Sequence, residues 1–287
     1  MENFISRPLC MFPGVVTLDQ VSQWVENLKT EATQEAALMG LTKSRECIPD
    51  LGLFLWNTPG TVTLLLMEIV NAYPFINPPT LSAPQSNRVC NALALMQCIA
   101  ANPLTQTHFI KAKLPFYFFP FLTTVCTAAP FEYLRLTSLG VIGALVKRGE
   151  REVILFLLNT EIIPLCLKTM EVGKELSKTV AAFILQKMLL EDAGLSFVCD
   201  NYDRFFHVIN VLGKVIYMLC SEPSARLLKQ VIRCYCRLAE HNNARETLRH
   251  CLPLQLRDSF FTSCLSEDRQ SQVWLQQLLQ KCDGNLM

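Results

Sequence analysis

Four apolar segments, each rich in small residues and each ending in polar ones, recur along this chain at a nearly constant distance. They are Ser86–Asn102, Tyr133–Gly149, Leu176–Asp192 and Leu227–His241, and their starts lie about 43–51 residues apart. The apolar residues follow the 3.6-residue period of an α-helix, and alternating strand patterns are nearly absent. A repeat of this length is typical of stacked helical units that bury their apolar faces against one another. The sequence therefore predicts an all-α fold built as a solenoid.

An aliphatic residue followed by proline forms a second marker, out of phase with the first. It occurs at Ile48-Pro49, Leu114-Pro115, Ile163-Pro164 and Leu252-Pro253. Proline in the first turn of a helix sacrifices no hydrogen bond and presets the backbone angle, so each pair predicts a helix start. The copy expected near Phe205–His207 lacks its proline, a loss that repeats tolerate while their packing faces persist. The two markers together predict one superhelical stack of armadillo or HEAT units.

Two proline-rich stretches belong to this stack. The uncharged run Leu114–Phe131 approaches the length of a membrane span, but it contains three prolines. Because prolines break a single helix, we predict two buried helices joined by a bend and no membrane segment. Tyr73–Pro84 is predicted to be an ordered loop between early helices. We assign residues 17–265 to the armadillo-repeat domain, 1–16 to a weakly ordered N-terminal segment and 266–287 to a C-terminal helix or tail.

Composition limits the class of protein and its compartment. Hydrophobic residues make up 51% of the 287 residues and charged residues 18%, which excludes a largely disordered chain. The net charge of +1 gives no global sign of a nucleic-acid or acidic partner. The thirteen cysteines are odd in number, form no C-x-x-C pair and lie mostly among apolar neighbours. Since the N-terminus also lacks the layout of a signal peptide, we interpret them as reduced core thiols in a protein of the cytosol, or also of the nucleus.

The sequence shows no arrangement of residues that would support catalysis. It contains no nucleotide-binding, serine-hydrolase or zinc-protease motif, and its four histidines fall in different repeats. His250 and Cys251 are adjacent on one helix and cannot face each other as a catalytic dyad. Cys234 and Cys236 point to different faces of a helix and make a poor metal pair. We therefore predict no enzymatic activity, no metal and no cofactor.

Two surfaces are candidates for binding. Arg226, Lys229, Arg233 and Arg237, here called the basic strip, share one helical face because offsets of three, seven and eleven residues return to the same side. The strip is either a solvated face or a contact for an acidic peptide, a helix C-terminus or an RNA backbone. Tyr133 and Arg135 begin another helix, where an aromatic beside an arginine suits peptide capture. A core anchor is the alternative role for Tyr133.

Long blocks of the sequence resemble one known family. They are INPPTL (76–81), QSNRVCNALALMQC (85–98), PFEYLRLTSLGVIGALVK (130–147), TEIIPLCLKTME (160–171), ELSKTVAAFILQKMLLED (175–192) and EPSARLLKQVIRCYCRL (222–238). On these blocks the chain resembles the "required for cell differentiation one" family, the armadillo-repeat subunit of the CCR-NOT mRNA deadenylase complex. The resemblance runs from about residue 20 to about residue 254 with almost no gaps.

The resemblance implies an armadillo fold of about six repeats without catalytic activity. It also implies binding to the large Not scaffold subunit and docking of short linear peptides of RNA-associated repressors, which promotes deadenylation and translational repression of chosen messages. The family's peptide groove falls here on Tyr133, Gly140 and Val180. Its tryptophan-accepting pockets lie on another face and fall on Tyr202, Arg204 and His207, with walls near Ala244 and Thr247.

The chain departs from the family at the wall of these pockets. The family commonly reads Asn-Pro-Arg-Ala-Arg-Glu-Ala where this chain has HNNARET at 241–247. An arginine and a small alanine are thereby replaced, a change that suggests a diverged paralogue.

Two other functions compete with docking on a Not scaffold. Direct nucleic-acid binding through the basic strip, in transcriptional regulation, is the main alternative. An importin-like cargo carrier ranks below it, since such grooves use ladders of Trp and Asn and the only tryptophans here are Trp24, Trp56 and Trp274. Self-association into a homodimer stays open.

The family match extends to polar positions that we expect to be exposed. They include Gln85, Arg88, Glu132 and Lys178. A packed core needs only apolar residues of suitable size, so core packing does not explain these polar identities. On this argument they favour a large partner that covers the surface, namely the Not scaffold.

Overall fold

The computed structural model describes residues 16–283, which form seventeen α-helices and three short 3-10 segments, with no strand among them. The predicted all-α class is therefore confirmed. The N-terminal segment 1–16, apart from Val16, lies outside the described residues, as do residues 284–287.

Six helices stack side by side, each packed mainly against the one before and the one after. We call them the ladder helices: α2 (Glu31–Ser44), α5 (Ala83–Ala101), α8 (Ala129–Val146), α11 (Glu175–Leu190), α14 (Ala225–Leu238) and α17 (Arg269–Asp283). Four of them, α5, α8, α11 and α14, are the segments that the apolar periodicity predicted. A ladder of this kind is the centre of an armadillo solenoid, in which the last helix of each repeat lines the concave surface.

The remaining helices lie beside the ladder, one or two in each repeat. They are α1 (Leu18–Asn27), α3 (Leu51–Asn57), α4 (Thr61–Val70), α6 (Pro103–Lys111), α7 (Phe119–Thr123), α9 (Arg151–Leu158), α10 (Ile162–Val172), α12 (Asp192–Cys199), α13 (Tyr202–Ser221), α15 (Asn242–Cys251) and α16 (Leu254–Arg257). Helices in corresponding positions of successive repeats pack together, as α3 does on α6, α6 on α9, and α10 on α13. Successive repeats therefore pack together through their outer helices as well as through the ladder helices.

Helices begin where the proline marker predicted them. Pro164 lies in the first turn of α10, Pro115 in a 3-10 segment at Leu114–Tyr117, and Pro253 directly before α16. The degenerate copy near residue 205 falls in the first turns of α13, where Asn201 caps the helix by accepting a hydrogen bond from a backbone N–H. A polar cap thus replaces the missing proline.

Both proline-rich stretches are broken into short pieces. Leu114–Phe131 is divided among a 3-10 segment, α7 and the first turn of α8, so the run is broken as predicted but into three short pieces rather than two helices. The predicted loop Tyr73–Pro84 ends at Ser82, since Ala83 and Pro84 begin α5, and it contains a 3-10 turn at Tyr73–Phe75 and a cis peptide between Asn77 and Pro78.

One continuous hydrophobic core runs through the stack. The ladder helices approach closely because small residues are fully buried between them: Ala92, Ala181 and Ala182. Two glycines lie at still tighter crossings. A Cβ added to Gly52 of α3 would lie 2.2 Å from the backbone oxygen of Cys98, and one added to Gly194 of α12 would lie 1.9 Å from that of Met188. Only glycine fits at these two positions, since a methyl group would overlap a carbonyl.

Helix α13 is the one single helix of the described chain with the length and apolar composition to cross a membrane. In the structure its apolar side is used within the stack, where it packs against α10, α12 and α14 and buries Val208, Leu212 and Ile216. Its opposite side exposes Asp203 and Arg204. The helix is therefore amphipathic, as expected for an outer element of the stack.

The prediction of reduced core thiols fits most of the described cysteines but is wrong at two, of which Cys251 is a free thiol that lies exposed. Eleven of the described cysteines are free thiols, and burial raises the pKa of Cys98 to about 11 and that of Cys236 to about 12. Cys47 is different because it is disulfide-bonded. It lies exposed in the turn before α3, so the assignment of every cysteine as a reduced core thiol is wrong at this position.

Candidate binding surfaces

One side of the ladder helices is exposed, and its residues recur three or four positions apart. On α8 this side carries Tyr133, Leu136, Gly140, Ala144 and Lys147, and on α11 it carries Leu176, Val180, Phe183 and Lys187. Such spacing keeps side chains on one side of a helix. We call this exposed side the ladder face.

The three predicted groove residues all lie on the ladder face. The Tyr133 side chain is 55% exposed, which leaves it accessible to a ligand and excludes the alternative of a core anchor. A Cβ on Gly140 would lie 3.1 Å from Oε1 of Gln97, the only residue so close to it. A Cβ on Gly143 would lie 3.7 Å from Cγ1 of Val180, which sets the register between α8 and α11. The structure thus brings the three residues onto one surface, and their binding role stays a prediction.

Three cations from successive ladder helices lie beside this groove. The pKa of Lys187 is lowered, first by burial and then by the charges of Arg233 and Lys147. Its Nζ lies 5.8 Å from the centroid of the Phe183 ring. None of the three cations forms an ion pair with a carboxylate in residues 16–283.

Two members of the basic strip form ion pairs with carboxylates inside the stack. Lys229 pairs with Asp268, with 2.8 Å between Nζ and Oδ2. Arg237 pairs with Asp192 of the preceding repeat and with Glu240. These contacts neutralise both cations and join neighbouring repeats, so neither side chain is free for a ligand.

The other two members of the strip are not neutralised. Arg226 is exposed at the start of α14 and forms no ion pair within the described chain. The Arg233 guanidinium lies 4.9 Å from the centroid of the Trp274 ring, and burial lowers its pKa. The strip does occupy one side of α14 as predicted, but only Arg226 and Arg233 offer charge to a partner.

Arg135 is buried, which corrects its assignment to peptide capture. Its side chain has no exposed surface and pairs with Glu132, one turn earlier on α8. Its Nη2 also donates to the backbone oxygens of Thr124 and Cys126, each at 3.0 Å, while Glu132 Oε1 accepts the backbone N–H of Lys174 at 2.9 Å. The pair therefore connects the loop before α8, α8 itself and the start of α11.

The other family-like polar residues also have partners inside the structure. Gln85 forms a capping box with Ser82 at the start of α5, and Arg88 pairs with Glu68 of α4. Lys178 is half-buried, its Nζ lies 3.1 Å from Sδ of Met218, and burial lowers its pKa. The expectation that these positions are simply exposed is wrong. Helix capping and ion pairing explain their identities, so they no longer support a covering partner.

The predicted tryptophan pockets lie at the start of α13, away from the ladder face. Tyr202 is 73% exposed and its ring stacks on Phe206 with the centroids 6.0 Å apart. The Arg204 guanidinium lies 3.8 Å from the ring centroid of Phe197 in α12, and His207 is exposed one turn later. This surface of exposed aromatic rings and a flat cation suits an aromatic ligand.

The changed segment 241–247 begins beside this surface. His241 Nε2 lies 3.3 Å from Oδ1 of Asp200, which precedes α13, so the start of α15 is held next to the α12–α13 turn. Ala244 is 3% exposed and belongs to the core, whereas Thr247 is exposed. Of the two predicted wall residues, Thr247 alone is accessible to a ligand.

The two closely spaced cysteines of α14 bond to different helices. Cys234 Sγ lies 3.7 Å from the backbone oxygen of Ala182 in α11, and Cys236 Sγ lies 3.3 Å from that of Trp274 in α17. Within residues 16–283 no group of three metal-binding side chains comes together.

Sequence reasoning missed four residues of the ladder face. They are Lys147, Phe183, Lys187 and Trp274. Each was judged within its own segment, where a single lysine or aromatic carries little information. Aligning the four predicted helices with one another would have placed the two lysines at equivalent positions.

Comparisons with known proteins cover nearly the whole chain. The model of the cell differentiation family, Rcd1-like, matches residues 24–282. The cell differentiation protein rcd1 of Schizosaccharomyces pombe is 54% identical over 259 residues, which cover 90% of this chain and 92% of that protein. The protein CAF40 of Saccharomyces cerevisiae is 50% identical over 260 residues, covering 90% of this chain and 70% of that protein.

Among solved structures, a designed armadillo repeat protein in complex with the peptide (KR)4 shares the fold. Its TM-score is 0.62 at 15% sequence identity, and the match covers 92% of this chain and 99% of the designed one. The likeness confirms the armadillo architecture that the repeat spacing predicted.

Proposed function

Since the chain belongs to the Rcd1-like cell differentiation family, we propose that it is a non-catalytic, protein-docking subunit of the CCR-NOT mRNA deadenylase complex. The observation that carries the proposal is the extent of the match: the family model spans residues 24–282, from before the first ladder helix into the last, and two relatives are 50–54% identical over 90% of this chain. The subunit acts in the cytosol, or also in the nucleus, where it brings chosen messages to the deadenylase and represses their translation.

Attachment to the Not scaffold is the first part of this proposal. Helices outside the ladder expose large apolar side chains, among them Leu104, Phe116, Tyr217 and Leu254. Aromatic and aliphatic side chains that the fold leaves exposed are available to the apolar core of a protein interface. The outer surface therefore supports a permanent partner, independently of the polar residues that the fold itself explains.

We expect the chain to co-elute with the helical central segment of the Not scaffold after co-expression and size-exclusion chromatography. A permanent interface buries about 2,000 Å² or more, and its apolar part survives about 0.3 M salt, where charges are screened within several ångströms. The chain expressed alone is the control for elution position. Separate elution of two folded proteins, as judged by circular dichroism, would show that this chain does not join the complex.

Peptide docking on the ladder face is the second part. The exposed Tyr133 ring, the bare backbone at Gly140 and the half-buried Val180 form an apolar strip between two helices. A short amphipathic helix can lay its apolar side into such a groove. The proposed ligands are short linear peptides of RNA-associated repressors.

Blocking the groove should weaken peptide binding about thirtyfold, which corresponds to about 2 kcal/mol. Gly140→Trp adds bulk where only the flexible end of Gln97 lies near, and Val180→Glu places a charge against an apolar ligand. The measurement is fluorescence anisotropy with a peptide selected from an array of repressor sequences. The control is Tyr217→Glu, which places the same charge at an exposed position of α13, outside the ladder face. Unchanged affinity in both groove variants would remove this surface from the proposal.

Tryptophan docking at Tyr202, Arg204 and His207 is the third part. The stacked and exposed rings support it, and the contact between His241 and Asp200 brings the changed segment to the edge of this surface. We therefore propose a binding surface whose rim, at Thr247, differs from that of its relatives.

A further inference from the structure

The same offset separates two positions of the ladder face on three consecutive ladder helices, and the second position is a cation each time. The pairs are Gly140 of α8 and Lys147 at its C-cap, Val180 and Lys187 on α11, and Arg226 and Arg233 on α14. The offset is seven residues in each pair, close to two helical turns, or about 10 Å along the same side of a helix. Two parallel rows therefore cross the three helices. We call the second the cation row: Lys147, Lys187 and Arg233.

The members of the cation row repel one another, and none of them has an ion-pair partner within residues 16–283. The central one, Lys187, lies on α11, which packs directly against both α8 and α14. Burial lowers its pKa, and the charges of Arg233 and Lys147 lower that pKa further. By contrast, Lys229 and Arg237 on the same face each have a carboxylate partner. Like charges held together in a half-buried groove are unfavourable, and a ligand that brings carboxylates to them removes that cost.

The first row, which consists of Gly140, Val180 and Arg226, determines what kind of ligand fits. Its positions on α8 and α11 are apolar, with Tyr133 and Phe183 beside them on the ladder face. An α-helix is about 10–12 Å wide with its side chains, so one peptide helix lying across the ladder helices reaches both rows. A nucleic-acid backbone would use the cations but leave the apolar row uncovered.

We propose that this groove selects acidic amphipathic helices, whose apolar side covers the row of Gly140 and Val180 and whose carboxylates meet the cation row. The inference rests on the peptide-docking function proposed above and adds the charge of the partner to it. It also replaces the basic strip by a different set of cations, drawn from three helices rather than one.

Two fluorescein-labelled peptides of about 16 residues, about 24 Å long as helices, test the proposal. They share a leucine-rich side at helical spacing and differ only on one flank, which is all glutamate in one and all glutamine in the other. We expect the glutamate peptide to bind at least about tenfold more tightly to the wild-type chain, and the difference to shrink as salt rises. The double variant Lys147→Glu, Lys187→Glu should abolish the difference.

The matched control is Lys111→Glu, Lys113→Glu, which changes the net charge equally at two exposed positions outside the ladder. It should keep the preference for the glutamate peptide, and circular dichroism should show both double variants folded. Equal binding of the two peptides to the wild-type chain would overturn the inference. If Val180→Glu also weakened both equally, peptide docking would stand without acidic selection.

Two further outcomes would also contradict the proposal. One is binding of neither peptide. The other is binding of a labelled oligouridylate that depends on Lys147 and Lys187 while the glutamate peptide fails to compete. That second result would assign the cation row to single-stranded nucleic acid, with the salt dependence that phosphate contacts produce.

Discussion

Replacing Arg135 by leucine should lower the free energy of unfolding by about 3–5 kcal/mol. The Arg135 guanidinium is fully buried, pairs with Glu132 and donates to the carbonyls of Thr124 and Cys126. Without it, the Glu132 carboxylate stays buried and keeps the backbone N–H of Lys174 as its hydrogen-bond donor. An uncompensated buried charge is among the most destabilising consequences of a single substitution. Urea denaturation followed by circular dichroism measures the loss.

Arg148→Leu provides the matched comparison. Its guanidinium lies 3.4 Å from Glu150 at a site where both side chains are about half exposed, so water already solvates the pair. Removing it should cost less than about 1 kcal/mol. The double variant Arg135→Leu, Glu132→Gln should recover part of the loss, because no charge is then left buried. Equal stabilities of Arg135→Leu and Arg148→Leu would show that the buried pair does not hold the repeats together.

Two glycine-to-alanine substitutions should change stability in opposite directions. At Gly194 the new methyl group would lie 1.9 Å from the Met188 carbonyl oxygen, so α12 must move away from α11. Forcing extra volume into such a contact costs about 3 kcal/mol. At Gly213, in the middle of α13, the nearest atoms to a new Cβ lie 4.0 Å away. Alanine there should add about 0.5–1 kcal/mol, since it lowers the entropy of the unfolded chain.

Both variants should be unfolded in urea in parallel with the wild type. The test is whether each substitution raises or lowers the free energy of unfolding. A loss at Gly194 with a gain at Gly213 would locate the constraint in the crossing of α12 over α11. If Gly194→Ala were as stable as the wild type, the two helices would not be in contact at that point.

The repeat architecture could be predicted because its signals are local. Apolar residues at a 3.6-residue period fill α5, α8, α11 and α14 over several turns, and the proline marker falls at helix starts. Both signals depend only on residues close together in the chain. The four central ladder helices follow from this regular spacing, whereas the number of about six repeats was implied by the family resemblance.

The polar residues could not be assigned in the same way. Whether Glu132 and Arg135 are buried depends on Lys174, about forty residues later, and on a loop that precedes the helix. Arg237 depends likewise on Asp192 in the previous repeat. A polar side chain at a helix surface position predicts exposure unless its partner in another repeat is known.

Part of the cation row could have been predicted from the sequence, namely the equivalence of Lys147 and Lys187. The seven-residue offset from Gly140 to Lys147 and from Val180 to Lys187 is visible once the two helices are aligned. The close contact of Gly143 with Val180 supplies the alignment, which no single segment contains. What the sequence alone could not give is that neither lysine forms an ion pair in the part of the chain that the structure describes.

Each ladder helix packs mainly on its two neighbours, so the solenoid can change its curvature through small rotations at the contacts between successive repeats. Any tilt at one step is carried to every repeat beyond it, so small rotations add up to large displacements of the two ends. The ladder face lies on the concave side of the solenoid and the other helices lie on the convex side. A rigid helix bound across α8, α11 and α14 would fix the spacing of these three helices on the concave side. The spacing of the outer helices on the convex side would then be fixed as well. The curvature of the stack is thus a quantity through which a ligand on one side can alter the fit of a partner on the other.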